Sequence, residues 1–154
     1  MADYLDSVLS TGNTLSWRVD VGFETGKEYD FKVRALNDVN QGSFSQSARF
    51  MAAKIPIAPL KPTSSFADQT SITIDWLPPY NGGTPITSYL VKWNLGGNGD
   101  QFFDLVTVDD QVLPFTKTGL TTGELYKFKV IASNFIGAGP ESDVISIYAA
   151  TKPK

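Results

Sequence analysis

Asp104, Asp109 and Asp110 stand within seven positions of one another and could together hold a hard cation. A dedicated calcium loop, however, alternates its oxygen ligands along the chain, and this spacing does not. Asp-Asp is ordinary hairpin-turn chemistry. A carboxylate pair for glycoside hydrolysis must face across a cleft, whereas the acids here are spread over turns. Gly82-Gly83 and Gly96-Gly97-Asn98-Gly99 are not phosphate loops, since no Gly-Lys-Ser/Thr follows and neither opens a helix. The chain has no His and no Cys, which removes imidazole and thiolate metal sites, disulfides, a Cys nucleophile and a His-based triad. The sequence thus predicts no catalytic residue, no metal site and no cofactor.

Thirteen Lys+Arg against 16 Asp+Glu give a formal charge of −3. No basic field is present to draw in a phosphate backbone, so nucleic acid is not an expected partner. No apolar run approaches the ~20 residues that span a bilayer, so direct membrane insertion is not expected either. At 42% hydrophobic and 19% charged, the 154-residue chain carries enough apolar content for a packed core.

The sequence contains an internal repeat. A shift of 97 positions aligns residues 3–57 with 100–154 without a gap, and 15 of the 55 pairs are identical. Gly26, Tyr29, Phe31, Lys32, Val33, Ala35 and Asn37 fall on Gly123, Tyr126, Phe128, Lys129, Val130, Ala132 and Asn134. Further on, Gly42, Ser45, Ala52, Ala53 and Pro56 fall on Gly139, Ser142, Ala149, Ala150 and Pro153. The expected organisation is one complete repeat over 57–154, preceded over 1–56 by the C-terminal half of another.

Within the complete repeat, period-2 alternation dominates. Ile72, Ile74 and Trp76 alternate with Thr73 and Asp75, and Tyr126, Phe128, Val130 and Ala132 alternate with Lys127, Lys129, Ile131 and Ser133. Turn clusters at 78–83, 96–99, 109–110, 121–123 and 137–140 separate the runs. Strands are predicted near 63–67, 70–77, 86–95, 102–108, 113–118, 125–134 and 143–150, enough for an antiparallel sandwich of two sheets.

The motifs carry a resemblance. Pro59-x-x-Pro62, Trp76 followed by Pro78-Pro79, and Asn81-Gly82-Gly83-Thr84-Pro85-Ile86 leading to Tyr89 resemble a fibronectin type III domain. So do Leu120-x-x-Gly123-x-x-Tyr126 and Phe128-x-Val130-x-Ala132-x-Asn134-x-x-Gly137-x-Gly139-Pro140. The resemblance implies an all-β, immunoglobulin-like seven-stranded sandwich, with strands A, B and E facing C, C′, F and G. Residues 3–56 resemble strands C′, E, F and G of a preceding domain. Asn40 stands where the second repeat has Gly137, which predicts a differently shaped F–G turn in the first.

Structural roles are expected for Trp76 between the sheets and for Leu120 with Tyr126 as a tyrosine corner, the counterparts in the half repeat being Phe23 and Tyr29. The half repeat lacks the A, B and C strands, so Tyr29, Phe31, Val33, Ala35, Trp17 and Val19 have no opposing sheet. At about 1.5–3 kcal/mol per large side chain that loss rivals a domain's net stability. Completion by upstream residues, or by a strand-swapped homodimer, is expected. Three prolines among residues 56–62 predict an extended, semi-rigid connection.

Partner contacts are expected at the loops of one end, Asn81, Gly82, Gly83, Thr84, Phe135 and Ile136. The resulting reading is a non-catalytic structural and protein-interaction module in a tandem-repeat adhesive, surface or cytoskeletal protein, with other proteins or neighbouring repeats as partners. The alternative is an accessory spacer attached to a larger, for example carbohydrate-active, enzyme. Neither cysteine nor an Asn-x-Ser/Thr sequon reports a compartment.

Overall fold

The computed structural model describes residue 16 and residues 22–110 and 113–151. Ten strands and no helix occur among them: β1 (Glu28–Phe31), β2 (Ala48–Met51), β3 (Thr63–Ala67), β4 (Ser71–Asp75), β5 (Ile86–Trp93), β6 (Phe103–Asp109), β7 (Phe115–Thr118), β8 (Leu125–Asn134), β9 (Gly137–Glu141) and β10 (Ile145–Tyr148). Among the described residues, therefore, no helix is long and apolar enough to cross a membrane.

Residues 58–151 form a sandwich. One sheet has the order β3-β4-β7, the other β10-β8-β5-β6 with β9 also paired to β8, and all pairings are antiparallel. The alternation sets which face is buried. Along β8 every second residue, Tyr126, Phe128, Val130 and Ala132, is buried, while Lys127, Lys129 and Ile131 are half-buried. Beside them in the same sheet β5 presents Tyr89 and Val91, and from the facing sheet β4 presents Ile72 and Ile74. Trp76 is buried just after β4 and meets Tyr89 edge-on, with ring centroids 5.5 Å apart.

The last strand differs from the expected continuous run over 143–150. Residues 137–141 pair with β8, because Phe135-Ile136 alone makes the turn and the chain re-enters the sheet at once. Pro140 is tolerated there because β9 is an edge strand. The run is then broken at Ser142, whose hydroxyl accepts the Val130 N–H at 3.0 Å while its own N–H donates to Val130 O at 2.9 Å. The chain resumes as β10.

Upstream, β1 and β2 form a two-stranded sheet, extended by a bridge between Leu36 and Gln41. Its local bonding repeats that of the sandwich at the 97-residue shift. Ser45 and Val33 exchange the bonds that Ser142 and Val130 do, at 2.7 and 3.0 Å. Gly26 N donates to Ala52 O as Gly123 N does to Ala149 O, at 2.6 and 2.8 Å. The F–G turns agree in their side-chain bonding but differ in backbone where Asn40 stands for Gly137, as expected. Asn37 Oδ1 accepts from Val39 N and Asn40 N, just as Asn134 Oδ1 accepts from Ile136 N and Gly137 N. The Asn side chain, present in both, shapes the turn. The substitution changes only the backbone at that point, where Gly137 adopts φ +152° and Asn40 stays out of positive φ. Trp17 and Val19 lie outside the described residues.

Candidate functional site

The chemistry-bearing groups are dispersed. Asp104 lies 4.0 Å from Lys92, and among the described residues no three of Asp and Glu gather as metal ligands. The best-built polar group is a surface ladder in which Glu141 accepts from Lys92 at 3.0 Å and Lys129 at 2.8 Å. These two hydrogen bonds, Lys129 first, hold the Glu141 carboxyl below its ordinary value. Glu141 is thus a charged strut between β9, β5 and β8.

The tyrosines are bonded in the backbone. Thr121 N–H donates to the Tyr126 hydroxyl at 2.9 Å, and Glu24 N–H to the Tyr29 hydroxyl at 2.8 Å, each five residues upstream. Both have tyrosine-corner geometry. Tyr126 is buried and stacks on Trp93 at 6.1 Å, and Leu120 is buried beside it. Gly96, at φ +104°, lets its loop rest on the Tyr126 ring: a Cβ there would come within 3.1 Å of Cε1.

The six loop residues singled out by sequence do lie at one end, but in two different situations. Phe135 is 88% exposed and Ile136 49%. Asn81, Gly83 and Thr84 are half-buried and Gly82 is buried, because the chain leading into the sandwich lies over this loop. Lys54 N–H donates to Gly82 O at 2.8 Å, and Ile57 N–H to Tyr80 O at 3.1 Å. Gly82 and Gly83 adopt φ +73° and +93°. A Cβ on Gly82 would run into Lys54 O and come within 2.7 Å of Ile55 O, and one on Gly83 would lie 2.6 Å from Gly26 N. Only glycine fits such an approach.

Asn134 closes the arrangement from the other side. Its amide Nδ2 donates to Lys54 O at 2.7 Å and to Asn81 O at 2.8 Å, so one side chain ties the incoming chain to the 81–83 loop. Gly139 completes the channel: a Cβ there would meet Pro56 O at 2.5 Å. Pro56 itself is fully buried. Sequence reasoning placed Asn134 in a motif but gave it no contact. Its identity with Asn37 across the repeat was the available signal, and it reported the turn rather than the bridge.

The model of the "Fibronectin type III domain" family matches residues 58–148. The chain belongs to the fibronectin type III family. The chain is 32% identical over 135 residues to human "Myomesin-2", covering 79% of this chain and 9% of that one. It is 36% identical over 83 residues to mouse "Cell adhesion molecule-related/down-regulated by oncogenes", covering 54% and 7%. It therefore spans about a tenth or less of the length of these curated relatives. Among solved structures, titin domains A168–A170 superpose with a TM-score of 0.61 at 21% identity, covering 73% of this chain and 37% of that one. The type III domain of human fibronectin type III domain containing protein 3 gives 0.53 at 28% identity, covering 65% and 91%. The titin likeness, at that identity, is a likeness of fold.

Proposed function

We propose that the chain is a non-catalytic, semi-rigid segment of a tandem type III array, in which residues 57–154 are a complete repeat and residues 1–56 the C-terminal half of the one before. The observation that carries this reading is the clasp of Lys54–Ile57 onto the Asn81–Gly83 loop by backbone hydrogen bonds and the Asn134 side chain. A loose tether makes no such bonds. The shared bonding of Tyr29 with Tyr126 and of Ser45 with Ser142 supports the half-repeat assignment.

The work of such a segment is to hold neighbours at a set distance and angle, with exposed Phe135 as the apolar point offered to a partner protein. Val33 and Phe50 are 72% and 60% exposed, consistent with a half repeat that takes its remaining strands from upstream residues or from a swapped second copy. An enzyme-attached spacer would perform the same physical task.

The test uses paired spin labels at Gln46→Cys and Thr107→Cys, both exposed and unique because the chain has no cysteine. The expected inter-label distance distribution is narrow and single. In Gly139→Ala, where the new Cβ meets the Pro56 carbonyl, it broadens while the sandwich stays folded. A broad distribution in the unmodified sequence overturns the rigid-segment reading.

A further inference from the structure

The clasp has two faces, and the repeat presents one of them twice. On the receiving side, the Thr25-Gly26 turn lies against Gly83: a Cβ on Gly26 would find the Gly83 Cα at 3.6 Å and its carbonyl oxygen at 3.7 Å. The equivalent turn in the complete repeat is Thr122-Gly123. Its backbone is the same, with Gly123 at φ +83° against +87° for Gly26. Its bonding is also the same, since Gly123 N donates to Ala149 O and Ala149 N to Glu124 O, as Gly26 N does to Ala52 O and Ala52 N to Lys27 O. Nothing lies within 4 Å of where a Gly123 Cβ would be. One turn is covered by a Gly-Gly loop, and its counterpart is open and already in the covered shape.

We propose that the Thr122-Gly123 turn, with the backbone of Ala149–Thr151 beside it, is a preformed docking surface for the Asn-Gly-Gly loop of a further type III repeat joined at the same spacing. The occupant's chemistry follows from the observed pair. It needs two successive glycines at positive φ so that backbone can approach backbone, and an Asn side chain placed as Asn134 is to reach the carbonyl of residue 151, which stands where Lys54 stands upstream. A second copy of this chain docking from solution is a poor occupant, because its own Gly82-Gly83 loop is already covered by its Lys54–Ile55 and Gly26. The contact is made within an array, and it rests on the array reading above. The Thr122 hydroxyl donates to Gln69 O at 2.9 Å, so the exposed turn is also tied to the 68–71 loop.

The experiment extends the full chain in register, residues 1–154 followed directly by a second copy of 58–154. Labels at Gln46→Cys and Thr107→Cys read the first junction. In a separate sample, labels at Asp143→Cys and at Thr107→Cys of the appended copy read the second, residue 143 being the equivalent of 46. The expected result is two distributions of similar mean and width. Thr122→Arg, an exposed change on the docking face, then broadens the second by about two-fold or more and leaves the first unchanged, as expected when a clasped linker becomes a free one. A narrow first junction with a broad second overturns the docking surface and leaves the array reading standing. Broad distributions at both overturn the two together. A narrow second junction that ignores both Thr122→Arg and Asn134→Ser in the appended copy, with that copy's unfolding transition retained, also overturns the proposal, since rigidity would then arise elsewhere.

Discussion

Two backbone amides of the sandwich, the part-buried Thr121 N–H and the buried Val130 N–H, take their acceptors from the side-chain hydroxyls of Tyr126 and Ser142. Tyr126→Phe keeps the ring on Trp93 but leaves the Thr121 N–H without its acceptor. The expected loss is about 1–2 kcal/mol, read from urea unfolding. Ser142→Ala removes the acceptor of the buried Val130 N–H and should cost a similar ~1–2 kcal/mol. Phe135→Ser, at an 88% exposed position, should change stability by less than about 0.5 kcal/mol. It therefore separates partner binding from folding in any later assay. The apolar residues were legible as core from period-2 spacing alone. Asn134 was not, because its two long-range acceptors, Lys54 O and Asn81 O, come from segments that only the folded chain brings to it.

At the level of strands, the ladder of Lys92, Glu141 and Lys129 joins the edge strand β9 to the two central strands β5 and β8. The Glu141 carboxyl is held below its ordinary value of 4.5. Its stabilisation is therefore present above pH 4.5 and lost as pH falls below that through the folded-state value. Because the group is over a third exposed, solvent screens the ladder to about 0.5–1 kcal/mol. Thermal unfolding of Glu141→Gln against the unmodified chain should show a gap at neutral pH that narrows as pH falls below 4.5. The strands of the sandwich were readable from alternation and turn clusters. The exception is β9, whose Gly137-Ala138-Gly139-Pro140 composition reads as turn. It pairs because Phe135-Ile136 already completes the reversal and β8 extends far enough to receive it.

Across the molecule, burial is uneven. The sandwich of residues 58–151 buries Ile72, Ile74, Tyr89, Val91, Phe128 and Val130 almost completely. The β1–β2 sheet has an aromatic cluster of Phe23, Tyr29, Phe31 and Phe50, with centroids 4.7–6.0 Å apart, whose members are exposed or only half-buried. Native-state hydrogen exchange should show residues 28–51 opening at lower free energy than β4, β5 and β8. Ile74→Ala should cost about 2–5 kcal/mol in the sandwich transition without altering the exchange of β1 and β2. The type III fold itself was visible in the spacing of Trp76, Gly82-Gly83 and Tyr126. The clasp was not, since a Gly-Gly pair reads equally as a turn whether or not another segment lies on it.

That clasp is written mostly in main-chain atoms: the N–H of Lys54 and Ile57, and the carbonyls of Lys54, Tyr80, Asn81 and Gly82. Main-chain atoms are the same in every residue type. Two adjoining repeats could therefore exchange nearly all their surface side chains, acquiring new partners along their flanks, and still join at the same angle, provided the glycines and one asparagine were kept. Surface specialisation and the geometry of the joint would be free to vary independently.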